Sequence, residues 1–203
     1  MKKTLLHQLV AAIFGGGEIT LRGRRFTCDA AFSFRMGAGF PGDVNRTHPA
    51  SIEPAIMSNT VVPFYGFPVV IAADGTNGVR PFGVGDGALT TIYGVAVRPF
   101  PQQQATGSSA FGAQAFGVGV PPASVPVDVI RQGYVTVQLP TDAPNAAKGG
   151  AVFIWIAASA GTHVLGGFES VAAGGNTIAL APTRYMFNGP QDASGNVELV
   201  ITS

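Results

Sequence analysis

The chain has 203 residues, enough for one domain with a sizeable core, and 46% of them are hydrophobic. Charged residues make up only 11%, against about 25% in ordinary soluble domains. With 28 Gly and 15 Pro, about a fifth of the chain breaks helices, so few helices and many turns are expected. The single cysteine, Cys28, excludes an intramolecular disulfide or a cysteine zinc centre.

The first residues, MKKTLLHQLVAAIFGGGE, admit two readings. Leu5, Leu9 and Ile13 recur at helical spacing, so residues 4–13 fit a short amphipathic helix. Two lysines before an apolar run also resemble a signal peptide, although His7 and Gln8 interrupt that run. No stretch approaches the roughly 18 apolar residues of a spanning helix. Residues 1–50 hold seven basic and three acidic side chains, and the rest of the chain is mildly acidic. That asymmetry points to a basic segment reaching an acidic surface. The cluster Arg22, Arg24 and Arg25 is short and lacks the aromatic series of an RNA-binding module, so a solvated loop is the expectation there.

EITLRG (18–23) and RFTCDAAFSFR (25–35) alternate around a turn at Gly23. Next, Gly37, Gly39 and Gly42 spell G-x-G-x-x-G, the spacing of a dinucleotide-binding loop. That loop must open a helix, whose N-terminus holds the pyrophosphate. Here Pro41 sits inside the motif, residues 43–49 show no helical period, and Pro49 pushes His48 out of helical angles. The segment therefore reads as an extended Gly/Pro-punctuated arm, and residues 36–66 read as loop.

The rest is a run of short β patterns. FPVVIAADGTNGVRPFG (67–83) reads as strand, Asp-Gly turn, strand. ALTTIYGVAVRPF (88–100) is rich in β-branched and aromatic residues. PQQQATGSSAFGAQAFGVGVPPAS (101–124) reads as a long projecting loop. VPVDVIRQGYVTVQL (125–139) alternates through Tyr134, Val135, Val137 and Leu139, and AVFIWIAAS (151–159) is apolar on both faces. NTIALAP (176–182), RYMFNG (184–189) and NVELVIT (196–202) complete eight to ten strands. Val-Arg-Pro-Phe occurs twice, at 79–82 and 97–100, as if marking related strand ends. The expectation is an all-β chain: a compact β-barrel or β-sandwich with extended N-terminal and loop arms. Residues 1–66 form the N-terminal helix/strand segment and arm, and residues 67–203 the β-rich core domain. The core is expected to hold Ile71, Ile92, Val95, Val97, Val135, Val137, Val152, Ile154, Trp155, Leu199 and Ile201.

Catalytic and metal-binding constellations do not emerge. His7, His48 and His163 lie far apart without metal-ligand spacing, and a lone loop histidine is expected to be a surface or capping residue. Glu18, Glu53, Glu169 and Glu198 offer no evident acid–base pair. There is no G-x-S-x-G elbow. DASGN (192–196) lacks the ligand series of a calcium loop and reads as a hairpin turn. AAKGGAVF (146–153) lacks the phosphate-loop order and reads as a turn into a core strand.

Five segments in order carry a family resemblance: RMGAGFPGDVNR (35–46), YGFPVVIAADGTNGVRPFGVGDGALTTIYGVAVRPFP (65–101), VDVIRQGYVTVQL (127–139), AAKGGAVFIWI (146–156) and MFNGPQDASGNVELVI (186–201). Together they resemble the head cement, or capsid decoration, proteins of tailed bacteriophages. The resemblance implies a structural virion protein with no catalysis and no cofactor or metal. Its implied partner is the major capsid protein, with no direct nucleic-acid or membrane contact. It further implies a homo-oligomer, a trimer in preference to a dimer, located on the outer capsid surface and in the host cytoplasm before assembly. The expected capsid-contacting residues are Arg35, Gly37, Gly39, Phe40, Pro41, Gly42, Asp43 and Arg46, with glycines that allow close backbone approach, an apolar anchor and flanking cations. The residues alone leave open a secreted or surface β-sandwich binding module, an enzyme of unfamiliar type and, fitting poorly, an outer-membrane barrel.

Overall fold

One strand organises the domain. Residues 126–138, rich in β-branched side chains interspersed with polar ones, make a 13-residue strand, and several others pair with it. The computed structural model describes residues 18–21, 24–27, 39–44, 46–58, 60, 62–73, 78–83, 85–98, 124, 126–142 and 146–203. Met1–Gly37 and Ala38–Ser203 form separate units. The first contains β1 (Glu18–Leu21) paired antiparallel with β2 (Arg24–Thr27), and the turn expected at Gly23 lies outside the described residues. The predicted 4–13 helix and all of the predicted 101–124 loop but Ser124 lie outside the described residues.

In the second unit the strands are β3 (Arg46–Ile56), β4 (Pro68–Ile71), β5 (Val79–Pro81), β6 (Gly94–Val97), β7 (Pro126–Gln138), β8 (Phe153–Trp155), β9 (Phe168–Glu169), β10 (Thr177–Ala179), β11 (Tyr185–Phe187) and β12 (Asn196–Ile201). Among the described residues the only helix is a 3-10 turn at Gly174–Asn176. The fold is mainly β and antiparallel, as expected.

β7 is the hub. Its first half pairs with β3 and β6 and its second half with β12, which pairs in turn with β11. β6 continues to β4 and β4 to β5. Met57, just past β3, bridges Val79 of β5, and the Ser58 amide donates to the Val79 carbonyl at 2.8 Å. The ladder β3–β7–β6–β4–β5 thus returns to β3 and closes a small ring. Met57, Val69, Val79, Ala96, Val127 and Val129 fill it, together with Val62 and Phe67. Alternation sends the neighbouring side chains the other way. Val95 and Val97 of β6 and Ile130 of β7 enter a larger core with Val135, Val137, Val152, Ile154, Phe168, Leu199 and Ile201. β8, β9 and β10 form a separate three-stranded sheet, order β10-β8-β9.

β6 and β7 are therefore covered on both faces, and they approach closely. A Cβ at Gly94 would collide with the Val129 side chain and the Ile130 carbonyl, so only glycine fits there. Tyr185 is buried in the larger core with its hydroxyl satisfied: it donates to the Ile92 carbonyl at 3.1 Å and accepts from the Ile92 amide at 3.2 Å.

Ten of the eleven expected core residues are buried. Ile71, the last residue of β4, is the exception, at 59% exposure. The second correction concerns residues 46–56, which read as loop but form β3. Pro49 and Pro54 hide it in sequence. The strand tolerates Pro49 because its register with β7 shifts between Arg46 and Ser51, where no regular ladder bond is lost. The turns read at 192–196 and 146–150 are present. Asp192 Oδ1 accepts from the Ser194 and Asn196 amides before β12, and Gly150 donates back to the Ala147 carbonyl before β8.

Candidate functional site

The glycine-rich motif resolves into a turn. Phe40, Pro41, Gly42 and Asp43 are its four positions, and the Asp43 amide donates to the Phe40 carbonyl at 2.9 Å. Pro41 supplies the fixed φ of the second position and Gly42, at φ +87°, the left-handed third position of a type II turn. Asp43 Oδ2 accepts from the Phe40 amide at 2.8 Å and closes the turn from the other side.

The turn is fastened to the domain. The Gly42 amide donates to the Thr136 carbonyl at 2.8 Å, and the Thr136 amide donates to the Asp43 carbonyl at 2.9 Å, so the segment lies along the second half of β7. The Arg98 amide donates to the Gly42 carbonyl at 2.9 Å. A Cβ on Gly42 would stand 2.5 Å from the Tyr65 Cβ, so glycine is required for packing as well as for φ. The Arg98 guanidinium lies 5.5 Å from the Phe40 ring and 5.7 Å from the Tyr65 ring, and its Nε is 3.6 Å from Asp43 Oδ1. Every backbone contact holds the turn down, while the Phe40 side chain, apart from the Arg98 guanidinium beside its ring, is left largely open. It is 61% exposed, the most exposed large hydrophobic residue described.

Arg46 stands three residues further on. Its guanidinium makes a two-pronged contact with Glu198, at 3.2 and 3.1 Å, and lies 4.5 Å from the Tyr134 ring centroid. Asn188 also binds the Glu198 carboxylate. About half of the Arg46 side chain remains open to solvent. Gly39, Phe40, Pro41, Gly42, Asp43 and Arg46 are thus brought to one stretch along β7, and Arg35 and Gly37 lie outside the described residues. β3 adds a second apolar feature: Ile52 and Ile56 are 44% and 56% exposed, and Pro54 between them on the same face is exposed too. Sequence reading missed this stripe because it missed the strand.

The arginines of the repeated Val-Arg-Pro-Phe share a structural role. Arg80, in β5, binds Asp86 through two contacts of 2.6 and 2.7 Å and holds the 83–86 turn, just as Arg98, after β6, holds the 40–43 turn through Asp43. The Arg80 hydrogen bonds hold the Asp86 carboxyl below the usual carboxylate range. On the face of β3 that also carries Ala55, Tyr93 and Arg131 both bind Glu53, at 2.8 and 3.2 Å, and the Tyr93 bond chiefly lowers its pKa.

His163 proves more than a lone loop histidine. Its ring stacks on Trp155 with centroids 4.3 Å apart, its Nδ1 is 2.8 Å from the buried Glu169 Oε1, and its Nε2 is 3.7 Å from Asp142 Oδ2. The carboxylates sit at opposite ring nitrogens, so the three groups do not converge on one point. Among the described residues no group of three or more His, Cys, Asp or Glu is arranged to hold a metal. The spacing His163-x5-Glu169 gave no signal, because the β8–β9 connection, not a regular element, brings the two together.

Comparison with known proteins decides the family. A model described as XM1 gp53 minor capsid protein matches residues 30–201. The chain belongs to this minor capsid protein family of phages. A solved chain from "The capsid of Myoviridae Phage XM1" superposes with a TM-score of 0.59 at 16% identity, covering 86% of this chain and 97% of the other. At that identity the superposition establishes a shared fold, and the match to the family model carries the assignment. No curated protein matches. The protein is therefore a capsid-associated structural protein of a bacteriophage, as the resemblance implied, and its place is the virion.

Proposed function

We propose that this protein decorates the outer surface of the phage head and stabilises it by bridging neighbouring major capsid subunits, without catalysis. The observation that carries the reading is Phe40, an aromatic side chain left outside on a turn whose backbone is fastened at every step. A rigid anchor loses little conformational freedom on docking, so most of its burial appears as affinity. Full burial of a Phe side chain is worth about 1.5–3 kcal/mol. Arg46, half open beside Tyr134, supplies the cation that sets register against acidic groups of a capsid subunit. The Ile52–Pro54–Ile56 stripe gives a second apolar contact, and two contacts on one body are what a bridge between subunits needs. In line with the resemblance, the protein acts as a homo-oligomer that forms in the host cytoplasm before it docks.

The test uses undecorated heads and purified protein. Phe40→Ala should weaken binding by about ten-fold or more, the equivalent of the burial lost, while leaving the melting temperature unchanged. Phe40 suits this better than Arg46, whose replacement would also disturb Glu198 inside the domain. Binding that Phe40→Ala leaves intact would show that the turn is not the contact.

A further inference from the structure

We infer that His163 is a pH-set latch that ties the Thr141–Asp142 turn to the β8–β9 connection. Both segments line one pocket of about 240 Å³, the first through Leu139, Pro140 and Thr141 and the second through Thr162, Val164 and Gly167. His163 follows Thr162, and Asp142 follows Thr141. The imidazole reaches across, with Glu169 at one nitrogen and Asp142 at the other.

The two contacts respond differently to loss of a proton. The imidazolium has two N–H donors and attracts both carboxylates. Neutral imidazole keeps one. The shorter contact, 2.8 Å to the buried Glu169, retains the proton on Nδ1, because leaving that carboxylate without a partner would cost more. Nε2 then turns a lone pair toward Asp142, and attraction becomes repulsion. Deprotonation therefore frees the Asp142 side of the pocket and leaves the Glu169 side in place. The other neighbour is Trp155, whose stacking fixes the ring plane so that the imidazole cannot swing to follow Asp142. The bond to Glu169 raises the His163 pKa above its ordinary value, so the release comes at a higher pH than an isolated histidine would give.

The chain carries its own reporter, because Trp155 is its only tryptophan. Trp155 fluorescence follows the protonation of the ring stacked on it, and NMR order parameters of the Thr141 and Asp142 amides follow the turn. Across a pH series on the intact protein, both should change at one midpoint, with the order parameters falling from about 0.85 toward about 0.6 as the pH rises. In Asp142→Asn the fluorescence step should persist and the step in the turn should vanish. In His163→Gln both steps should vanish. A turn whose order does not change through the His163 midpoint, or one that still changes in Asp142→Asn, would overturn the latch.

Discussion

β3 and β7 lie in one antiparallel ladder, from Ile52 opposite Ile130 to Ile56 opposite Pro126, yet they are built for different work. β7 is covered on both faces: Val127 and Val129 point into the ring, and Ile130, Val135 and Val137 into the larger core. β3 gives only its inward positions to the ring, with Ala55 packed against it, and turns Ile52, Pro54 and Ile56 outward. The 40–43 turn repeats the arrangement on the second half of β7, with backbone and Gly42 committed to the domain and Phe40 presented. Burial and exposure are thus assigned to different strands, and the outward residues can change without disturbing the core.

The contrast is broken most severely inside β7. Ile130→Ala removes a fully buried side chain that β6 and β7 share with the larger core, and should cost about 2–5 kcal/mol in denaturant unfolding. A loss below about 1 kcal/mol would mean that β7 is less committed than its burial implies.

An intermediate effect is expected at the Arg80–Asp86 pair. Asp86→Asn replaces a nearly buried carboxylate that Arg80 and the Gly83 amide both bind, and should cost about 1–3 kcal/mol at neutral pH. The sign of its pH dependence follows from the lowered pKa. The folded state holds the ionised form, so the contribution is complete above the unfolded carboxylate value of about 3.9 and disappears as the pH falls through the lower folded value. The stability gap between wild type and Asp86→Asn should therefore close on acidification. His163 and Glu169 run the other way, since both are raised in the folded state, Glu169 by burial and His163 by its bond to Glu169. Each contribution grows as the pH falls, Glu169's being lost as the pH rises through its own folded value and His163's as the pH rises through that of the imidazole. A gap that widens in acid would contradict the assignment of Asp86.

The smallest effect on folding sharpens the comparison from the other side. Ile56→Ser, on the outward face of β3, should change stability by no more than about 0.5 kcal/mol while weakening attachment to heads. A loss above about 2 kcal/mol would show that this face belongs to the core.

Legibility in the sequence followed the same division. β7, β8 and β12 were readable because strands buried in a core carry dense apolar patterns, as in VPVDVIRQGYVTVQL and NVELVIT. β3 was not, because RTHPASIEPAI has two prolines, a polar start and apolar residues on its exposed face, all of which imitate a loop. At the candidate site, Phe40, Pro41 and Gly42 were legible as a group. The type II turn was latent in Pro-Gly, but its partners Thr136 and Arg98 are more than fifty residues away and only the fold brings them close. The His163 cluster was invisible for the same reason, since Asp142 and Glu169 meet the imidazole through a turn and a two-residue strand that carry no periodic signal.

The most direct measurement is a cryo-EM map of decorated heads at side-chain resolution. The account predicts that each copy straddles a boundary between major capsid subunits, with the Phe40 ring within about 4.5 Å of apolar capsid atoms and the β7 ladder unchanged. A copy attached through another face, with Phe40 still turned to solvent, would contradict it.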